Sequence, residues 1–590
     1  MGYTENFRNS LAVDMLEWTG VVKLESNFKP QPLPGTTAHS GPASTNSERS
    51  GLKSPKNEQS LKEGSGDETP SHPNQLEHHD VFPVQLVEAV RIETADIDVE
   101  KIPSQGTGPN VADEHAEPEP HDPFLVDWNG EDDPEKPTNW SKGYKTLVCV
   151  QIMFYTFVTY MGSSIYTPGQ PEIQEQFSVG HVAATLTLSL FILGYSLGPM
   201  IFSPLSEVST VGRNHIYMVT LFLFWILQVG IALTPSFAGL LTLRLMTGFF
   251  SSPSIATGGA SLGDFVSQDI LPLFIGLWAV GAFMAPSLAP ILGAAMVVAK
   301  NWRWVFWLIM WIDAFGWLFM FFFFPETQHN NILHRRANRV RKETGDDRYY
   351  TKHEREDAKI EWRPYFKELI FRPFIIIAEE PGVLAIDIYM ALIYGTYDLF
   401  FEAFPIVYTR IYDFGPVLLG LTYIGFAIGC LLGYVVFVSF IITQVVPRFQ
   451  NNTFTLERFL YLSIWVCFFI PAALFIFGWT AGKHWALPIL AEVIYATAAF
   501  NIVQSLFAYL SLNYPRYLAS VFAGNAFMRS AFAVAFPLFG QAMYDNLAIP
   551  NYPVGWGSSL LGFIALAMAL IPFVLVRLGP RLRGRSKYAN

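Results

Sequence analysis

About twelve long apolar runs between Tyr144 and Arg577 constrain the fold of this chain more than any other feature. Apolar runs near twenty residues match the hydrocarbon thickness of a bilayer, and helices that are apolar on all sides are typical of membrane spans. We place the spans at 144–168, 181–204, 214–233, 236–262, 270–298, 303–324, 373–409, 416–442, 457–478, 485–509, 516–544 and 555–577. The seventh run is too long for one straight span and is predicted either to extend beyond the membrane or to break near Pro381.

The composition excludes several classes of protein. Of 590 residues, 51% are hydrophobic and only 15% are charged, whereas a soluble protein has about a quarter charged residues. The net charge of −11 gives no case for nucleic-acid binding. The three cysteines fall inside predicted spans, and no metal-binding or phosphate-binding motif occurs. We therefore expect no cofactor and no enzymatic activity.

The distribution of Lys and Arg predicts the orientation in the membrane. The loop 325–372 and the C-terminus are rich in both residues, whereas the first loop on the opposite side, 169–180, has neither. With an even number of spans, both termini and the central loop are predicted to be cytoplasmic. The amphipathic stretch NNILHRRANRVRKETG in the central loop is expected to lie on the membrane surface as a helix held by anionic lipid.

The first 140 residues differ from the rest of the chain because they are rich in Ser, Pro, Glu, Asp, Asn and Gly. They offer too little apolar surface to offset the entropy of ordering, so they are predicted to be mostly disordered. The predicted organisation has a disordered tail at 1–140, a six-helix bundle at 141–324, a basic loop at 325–372, a second six-helix bundle at 373–577 and a short basic tail at 578–590. The fold class is an all-α membrane protein with twelve helices.

A short charged loop, SPLSEVSTVGRNHIY at 203–217, joins the second and third spans. It places Glu207 and Arg213 at the ends of neighbouring spans, and Gly212 permits a tight turn. Arg213 is suited to pair with a carboxylate. A charge latch that closes in one conformation and breaks in another would suit alternating access; a plain solvated loop is the alternative.

The fourth and fifth spans carry further candidates. Arg244 lies in or just inside the end of a span, where an unpaired charge is costly, so it is predicted to be paired or to face a water-filled cavity. Snorkelling towards the headgroups is the structural alternative. Asp264 ends the same stretch and joins the gating candidates. In the fifth span, Pro286 and Pro290 are expected to kink the helix, and small neighbours such as Gly293 would allow tight packing against the other half.

Several stretches together resemble a known family. They are DWNGEDDPEKPTNW, SPLSEVSTVGRN, LRLMTGFFSSPSIATGGASLGD, the Pro-containing fifth span, NWRWVFW, FFPET, EEPGVLAIDIYMALIYGTYDLFFEAFPIVY and YLASVFAGNAFMRSAFAVAFPLF. The chain is similar to fungal members of the major facilitator superfamily, in the twelve-span drug:proton antiporter family. Its pattern is closest to the multidrug and benomyl/methotrexate/cycloheximide resistance transporters. The resemblance covers 127–577.

The resemblance implies two six-helix bundles, a central cavity and export coupled to proton entry. It equates the loop at Glu207–Arg213 with the first cytoplasmic motif of the family, Arg244 with its fourth-span arginine, and 286–293 with its antiporter motif. The chain departs from the family in having Ala285, Ala289 and Ala294 where Gly is usual, and Asn214 where a second basic residue is common. The first swaps keep the side chains small, but both weaken the transfer of coupling details.

The seventh span supplies most of the acidic side chains. Carboxyl groups that lie at membrane depth are costly when charged and are candidates for carrying a proton. We assign proton coupling to Glu402, Asp398 and Asp387, with Arg244 as the electrostatic partner of Glu402. A structural or interfacial carboxylate is the alternative for each acid.

Aromatic and polar side chains around these acids are candidates for substrate binding. A cavity with aromatic walls and one or two acids would suit flat, apolar and sometimes cationic compounds. The candidates are Tyr389, Tyr394, Tyr397, Phe401, Asn501, Gln504, Asn525 and Arg529. Aromatic filler and hydrogen bonds between helices are the alternatives.

The sequence therefore predicts a plasma-membrane exporter that exchanges inward protons for outward small molecules, without a cofactor and as a monomer. Its partners would be the bilayer, protons and small organic compounds such as drugs, fungicides and toxic metabolites. A polyamine or other metabolite transporter of the same fold is the nearest alternative. A non-transporting membrane sensor that uses the long tail for signalling is the second.

Overall fold

The structure is a computed structural model that describes residues 7–19, 21–22, 24, 122–267, 270–359, 361–451, 453–514 and 517–589. Within these ranges the regular elements are helices, and β-pairing is limited to isolated bridges. Eleven helices there are long and apolar enough to cross a bilayer. The predicted all-α membrane fold is confirmed.

The bounds of the first six spans lie close to the bounds predicted from the sequence. Span 1 is Lys142–Ser164, extended through a short turn at Thr167–Gly169 into Gln170–Phe177; span 2 is His181–Leu197 and Pro199–Glu207; span 3 is Gly212–Leu233; span 4 is Phe237–Ser251, Pro253–Ala256 and Gly258–Phe265; span 5 is Leu271–Ala299; span 6 is Trp302–Phe323. Span 4 is interrupted at Pro253, which lacks the N–H that a continuous helix needs. This span completes the twelve.

The second six spans repeat the plan. Span 7 is Pro381–Phe404 with a π-helical turn at Pro405–Thr409; span 8 is Pro416–Thr422, Ile424–Phe440, a π-helical turn at Ile441–Val445 and Val446–Gln450; span 9 is Arg458–Val466 and Phe469–Thr480; span 10 is Ala486–Asn513; span 11 is Leu518–Asn546; span 12 is Gly555–Met568 and Ile571–Arg583. A separate helix, Trp362–Glu379, precedes span 7, so the seventh run breaks at Pro381 as predicted. That helix crosses the predicted boundary between the loop and the second bundle.

Side-chain caps define where several spans begin. The side chain of Ser141 accepts the N–H of Tyr144 before span 1, and the side chain of Asn301 accepts the N–H of Arg303 at the start of span 6. Such caps satisfy N–H groups that have no partner inside a helix. The local sequence therefore accounts for these span ends.

Each half of the membrane part has its own apolar core. One cluster of buried side chains belongs to spans 1 to 6, and a second belongs mainly to spans 7 to 12. Spans 2 and 11, and spans 5 and 8, make the closest contacts between the halves. Large apolar side chains such as Trp311, Phe315 and Val435 remain exposed on the outside, where a bilayer would cover them. These are two bundles with an interface between them.

Two parts of the N-terminal region that was predicted to be disordered pack against the first bundle. Residues in the range 25–121, which carry most of that prediction, lie outside the described residues. The helix Leu11–Trp18 contacts spans 3 and 6, and Phe7 packs edge-on against Phe323 and Tyr144. The prediction of disorder is therefore wrong for residues 7–18 and for the ordered segment 122–141, because their few apolar and charged side chains find partners on the bundle.

The amphipathic stretch of the central loop forms a helix, His329–Thr344, but its face is covered by protein. The guanidinium of Arg336 binds Asp133 through two hydrogen bonds, at 2.8 and 3.1 Å, and also binds Glu135. Burial alone would raise the pKa of Asp133, but hydrogen bonds from Arg336 and from the N–H groups of Asn129 and Glu135 hold that pKa below its usual value. The prediction of a surface helix held by lipid is therefore corrected, because buried arginines of this helix bind acidic side chains of the same chain.

Candidate functional site

A cavity lies between the two bundles at mid-depth. We call the side of the molecule that holds the central loop the loop side, and the other the opposite side. The walls of the cavity come from spans 1, 2, 4 and 5 in the first bundle and from spans 7 and 11 in the second. The lining residues are Tyr160, Ser163, Phe191, Ile192, Tyr195, Ser196, Pro199, Ile255, Pro286, Tyr394, Tyr397, Asp398, Ala526, Arg529, Ser530 and Ala533. The cavity is therefore aromatic, with one acid and one base.

The charged side chains of the cavity come from the second bundle. Asp398 on span 7 is half-buried at the wall. Arg529 on span 11 lies over the ring of Tyr394, with 4.3 Å from its Cζ atom to the ring centroid. Its buried Nε atom has no hydrogen-bond partner among the described residues. Both ionisable groups are therefore available to a molecule that enters the cavity.

Asp387 lies deeper in the second bundle. It is fully buried, and its Oδ1 atom accepts a hydrogen bond of 2.7 Å from Nδ2 of Asn525. Its Oδ2 atom and Oδ1 of Asn525 lack partners among the described residues. Because Asn525 lies one helical turn before Arg529 on span 11, this pair adjoins the cavity without lining it.

Five of the predicted substrate-binding residues lie outside the cavity lining, and Asn525 is one of them. Tyr389 and Phe401 are buried in the core of the second bundle, and the ring of Phe401 stacks on Tyr423. Asn501 donates from Nδ2 to the carbonyl oxygens of Gly433 and Thr497, at 3.1 and 2.8 Å, and Gln504 is also buried. The helix faces that carry these side chains turn towards other helices, so their role in substrate binding stays a prediction.

Arg244 is fully buried in the first bundle. Its Nε, Nη1 and Nη2 atoms donate to the carbonyl oxygens of Thr187, Gly162 and Ser163 at 2.9, 2.7 and 2.9 Å. Its Cζ atom also lies 4.6 Å from the ring centroid of Phe191. The expectation of a buried arginine with partners holds, but these partners are carbonyl groups of spans 1 and 2 and an aromatic ring.

Glu402 meets the first bundle near the opposite side of the molecule. Its Oε2 atom lies 2.7 Å from Nε2 of His181, and its Oε1 atom accepts from Thr185 at 3.3 Å. The predicted partner Arg244 makes no ion pair with it among the described residues. The pairing of Glu402 with Arg244 is thus corrected, because span 2 lies between span 7 and the buried guanidinium.

The charge latch on the loop side differs from the one predicted. Arg213 Nη2 donates to Asp264 Oδ1 at 3.1 Å, and its Nε atom lies 2.9 Å from Asp264 Oδ2. Glu207 is exposed and contributes its backbone carbonyl oxygen to Gln328. Arg213 therefore makes its ion pair with the acid at the end of span 4, and Glu207 lies only within electrostatic range of the guanidinium.

A fully buried carboxylate organises the same loop. Glu326 accepts hydrogen bonds from the backbone N–H groups of Arg213 and Asn214, the second and third residues of span 3, at 3.0 and 3.1 Å. Gly212 has φ +73°, and a Cβ atom there would lie 2.4 Å from Glu326 Oε2. The turn needs glycine both for its conformation and for this close approach.

The prolines of span 5 pack against both bundles. The carbonyl oxygen of Pro286 accepts the hydroxyl of Ser164 at 2.9 Å, and a Cβ atom on Gly293 would lie 2.0 Å from the carbonyl oxygen of Ile165. A Cβ atom on Gly420 of span 8 would lie 2.9 Å from the carbonyl oxygen of Pro290. Gly293 therefore packs against span 1 of its own bundle, which corrects the expected contact with the other half, whereas Pro290 meets the other half.

Sequence reasoning missed three parts of the site. Tyr160 and Tyr195 line the cavity from the first bundle, but aromatic residues are too frequent in this chain to single them out. His181 was missed although it stands at the start of a span opposite an acid-rich one. Glu326 was quoted within FFPET without a role. The sequence signal that could have found His181 and Glu326 is the presence of an ionisable residue at the end of a span.

The chain is similar to characterised fungal proteins along its length. A family profile described as "Major Facilitator Superfamily" matches residues 152–537. "Fluconazole resistance protein 1" of Saccharomyces cerevisiae is 49% identical and covers 100% of both chains. "Multidrug transporter FLR1" of Candida glabrata is 56% identical over 79% of this chain and 84% of its own, and "Cycloheximide resistance protein" of Candida maltosa is 42% identical over 79% and 86%.

The fold is also similar to that of a solved transporter. The structure described as the partially occluded inward open conformation of the xylose transporter XylE from E. coli aligns with a TM-score of 0.51 at 12% sequence identity. The alignment covers 73% of this chain and 99% of that one. At this identity the likeness concerns the fold alone.

Proposed function

The chain belongs to the major facilitator superfamily, and from this premise we propose that it exports small organic compounds in exchange for protons. The single observation that carries the proposal is the aromatic cavity between the bundles, which holds Asp398 and Arg529. The names of the similar fungal proteins, which refer to multidrug transport and to resistance against fluconazole and cycloheximide, support drugs as the exported compounds.

The cavity accounts for a broad choice of compounds. Tyr160, Tyr195, Tyr394 and Tyr397 present faces and hydroxyl groups to a flat molecule, whereas Asp398 attracts a cation. Apolar contact depends little on the detailed shape of a compound. The pocket therefore suits aromatic and weakly basic molecules of different outlines.

Alternating access would move this cavity between the two sides of the membrane. On the loop side, the Arg213–Asp264 pair ties span 3 to span 4, and on the opposite side His181 and Glu402 tie the first bundle to the second. Rocking of the bundles would expose the cavity to one side at a time. We propose that the loop side faces the cytoplasm, with both termini there and the protein in the plasma membrane.

No cofactor is required for such a cycle, because the proton gradient supplies the free energy. We propose Asp387, Asp398 and Glu402 as the groups that exchange protons with water and substrate. The protein would act as a monomer, since each chain contains a complete cavity between its own two bundles.

Drug accumulation in yeast cells that lack their own efflux pumps tests the function. Cells that express this protein are expected to accumulate less of a fluorescent or radiolabelled drug, and a protonophore is expected to abolish the difference. Unchanged accumulation with the protein present in the plasma membrane would contradict the proposal.

One substitution tests the role of the cavity. Asp398→Asn is expected to weaken export of cationic drugs by about tenfold, equivalent to about 1.4 kcal/mol of binding free energy. Asp545→Asn is the matched control, because Asp545 forms a half-exposed ion pair with Arg410 on the surface. Equal effects of the two substitutions on a cationic drug would remove Asp398 from the binding site.

A polyamine transporter of the same fold remains the second candidate. The acids of span 7 favour it, but Arg529 in the same cavity would repel a polycation. Competition by spermidine with drug export would favour this alternative.

A further inference from the structure

Hydrogen bonds of one carboxylate join the two bundles near the opposite side of the molecule. His181 is the first residue of span 2, and Glu402 lies in the last turn of the helix Pro381–Phe404 of span 7. Their Nε2 and Oε2 atoms are 2.7 Å apart. A contact of this kind has to break before the bundles can separate on that side.

The surroundings of the imidazole define which of its nitrogen atoms carries the hydrogen. The side-chain amide nitrogens of Gln170 and Gln174 both lie 3.5 Å from Nδ1 of His181. Amide nitrogens donate, so Nδ1 is the acceptor and the ring hydrogen lies on Nε2, from which it is donated to the carboxylate of Glu402. Gln170 also donates to Thr185 Oγ1 at 2.9 Å, and that hydroxyl binds the second carboxylate oxygen.

The two members of the pair differ in their access to water. The side chain of His181 is 31% exposed, whereas that of Glu402 is 6% exposed. A proton from the water on this side therefore reaches the imidazole before it reaches the carboxylate. Span 11 packs against Glu402, since a Cβ atom on Gly540 would lie 3.4 Å from Glu402 Cβ.

Other ionisable groups that face the pair are few among the described residues. Span 1 brings Tyr166 and span 8 brings Tyr423 within electrostatic range of Glu402. Arg244 of span 4 lies behind the ring of Tyr166, with 5.0 Å from its Cζ atom to the ring centroid, and Asp398 lies one turn earlier on span 7. His181 is the direct ionisable partner of Glu402 in the described part of the chain.

We propose that His181 passes an external proton to Glu402 and that this transfer releases the contact between the bundles. A proton from water binds Nδ1, the bond between Nε2 and its hydrogen breaks, and that hydrogen moves to Oε2 of Glu402. The products are a neutral imidazole with its hydrogen on Nδ1 and a neutral carboxyl group. Nδ1–H now faces two amide donors, so the hydrogen-bond network has to rearrange. The inference rests on the proposed proton exchange and on the proposed orientation.

Efflux from intact yeast cells at different external pH values tests this step with the full-length protein. The external pH is varied from about 5 to 8. Wild-type efflux is expected to rise as the external pH falls. His181→Gln keeps an N–H donor for Glu402 but cannot relay a proton, so its pH profile is expected to become flat, with several-fold less efflux at low external pH.

Two further variants make the test specific. His484→Gln is the matched control, because His484 is exposed in the connection between spans 9 and 10, on the same side as His181, and it is expected to keep the wild-type profile. Glu402→Gln is expected to flatten the profile, and the double variant His181→Gln/Glu402→Gln is expected to lose no more than Glu402→Gln alone, since both act in one step.

Abundance in the membrane and the melting temperature in detergent separate the relay from a structural role. His181→Gln is expected to keep the wild-type value of both, because glutamine retains an N–H donor for Glu402. An unchanged external pH profile in His181→Gln, additive effects in the double variant, or a lower abundance of His181→Gln would each overturn the inference. Absence of gradient-dependent efflux in the wild type would instead contradict the proposed function.

Discussion

Two arginines within the spans, one in each bundle, differ in what their guanidinium groups bind. In the first bundle, each donating nitrogen of Arg244 is bound to a backbone carbonyl oxygen of span 1 or 2 at 2.7 to 2.9 Å. In the second bundle, Arg529 lines the cavity and rests on Tyr394, while its Nε atom lacks a hydrogen-bond partner among the described residues. Burial of a charge therefore does not by itself identify a functional residue, because a saturated guanidinium stabilises helices and an unsaturated one can bind a ligand.

The acids do not divide between the bundles in the same way. Glu326 beside the first bundle is saturated by backbone N–H groups of the chain around it. In the second bundle, Asp387 keeps its Oδ2 atom without a hydrogen-bond partner among the described residues, and in the first bundle Asp313 of span 6 keeps both carboxylate oxygens without one. The contrast between the bundles therefore concerns the arginines.

The largest expected effect is that of Arg244→Ala. The substitution removes three hydrogen bonds from a charged group to buried carbonyl oxygens, and hydrogen bonds to charged groups contribute about 1.5–3 kcal/mol each. The variant is expected to lose most of its abundance in the membrane and to unfold at a lower temperature in detergent, measured by fluorescence-detected size exclusion. A stably folded Arg244→Ala protein with an altered pH profile would instead support the coupling role predicted from sequence.

Arg529→Gln should change transport more than stability. The side chain has few hydrogen bonds to lose, so the melting temperature is expected to stay within a few degrees of the wild type. Drug export is expected to fall by about tenfold, equivalent to about 1.4 kcal/mol, with a change in the order of preferred drugs. Arg410→Gln serves as the control, since its ion pair with Asp545 is exposed and contributes little. A large loss of stability in Arg529→Gln would show that Arg529, like Arg244, mainly stabilises the packing of helices.

The smallest effect is expected from the N-terminal segment, which packs against spans 3 and 6 and against the helix of the central loop. Removal of residues 1–24 breaks the ion pairs of Asp14 with Arg335 and of Glu17 with Arg339, and partly exposed pairs contribute up to about 1 kcal/mol each. The melting temperature in detergent should fall by a few degrees, with most of the transport retained. Removal of 25–120 is the matched control and should leave both unchanged. A larger loss from the second deletion would show that the first bundle is not the main site of attachment.

The sequence predicted the membrane part well because a span is a local property. Twenty apolar residues are costly to expose wherever they pack, so the runs and the break at Pro381 could be located without knowledge of neighbours. The amphipathic stretch His329–Thr344 was also correctly predicted as a helix. Its environment was not, because Asp133 and Glu135, which bind Arg336, lie some 200 positions earlier in the chain.

The candidate site also contains features that the sequence located and features that it could not locate. Tyr394, Tyr397, Asp398 and Arg529 were named from the sequence and line the cavity. Tyr389, Phe401, Asn501 and Gln504 were named for the same chemistry but face other helices. Twelve apolar helices have no polar face to show which side is turned inward, so residue type alone could not separate the two groups.

By itself, the sequence determined the class of the protein, the number and approximate ends of its spans, and the residue types available for binding and proton exchange. Only the tertiary structure decided which of them meet: Arg213 with Asp264 rather than Glu207, and Glu402 with His181 rather than Arg244. The physical reason is that the two kinds of feature depend on residues at different separations along the chain. Burial of an apolar run depends on its own residues, whereas an ion pair depends on the rotation and register of helices far apart in the chain.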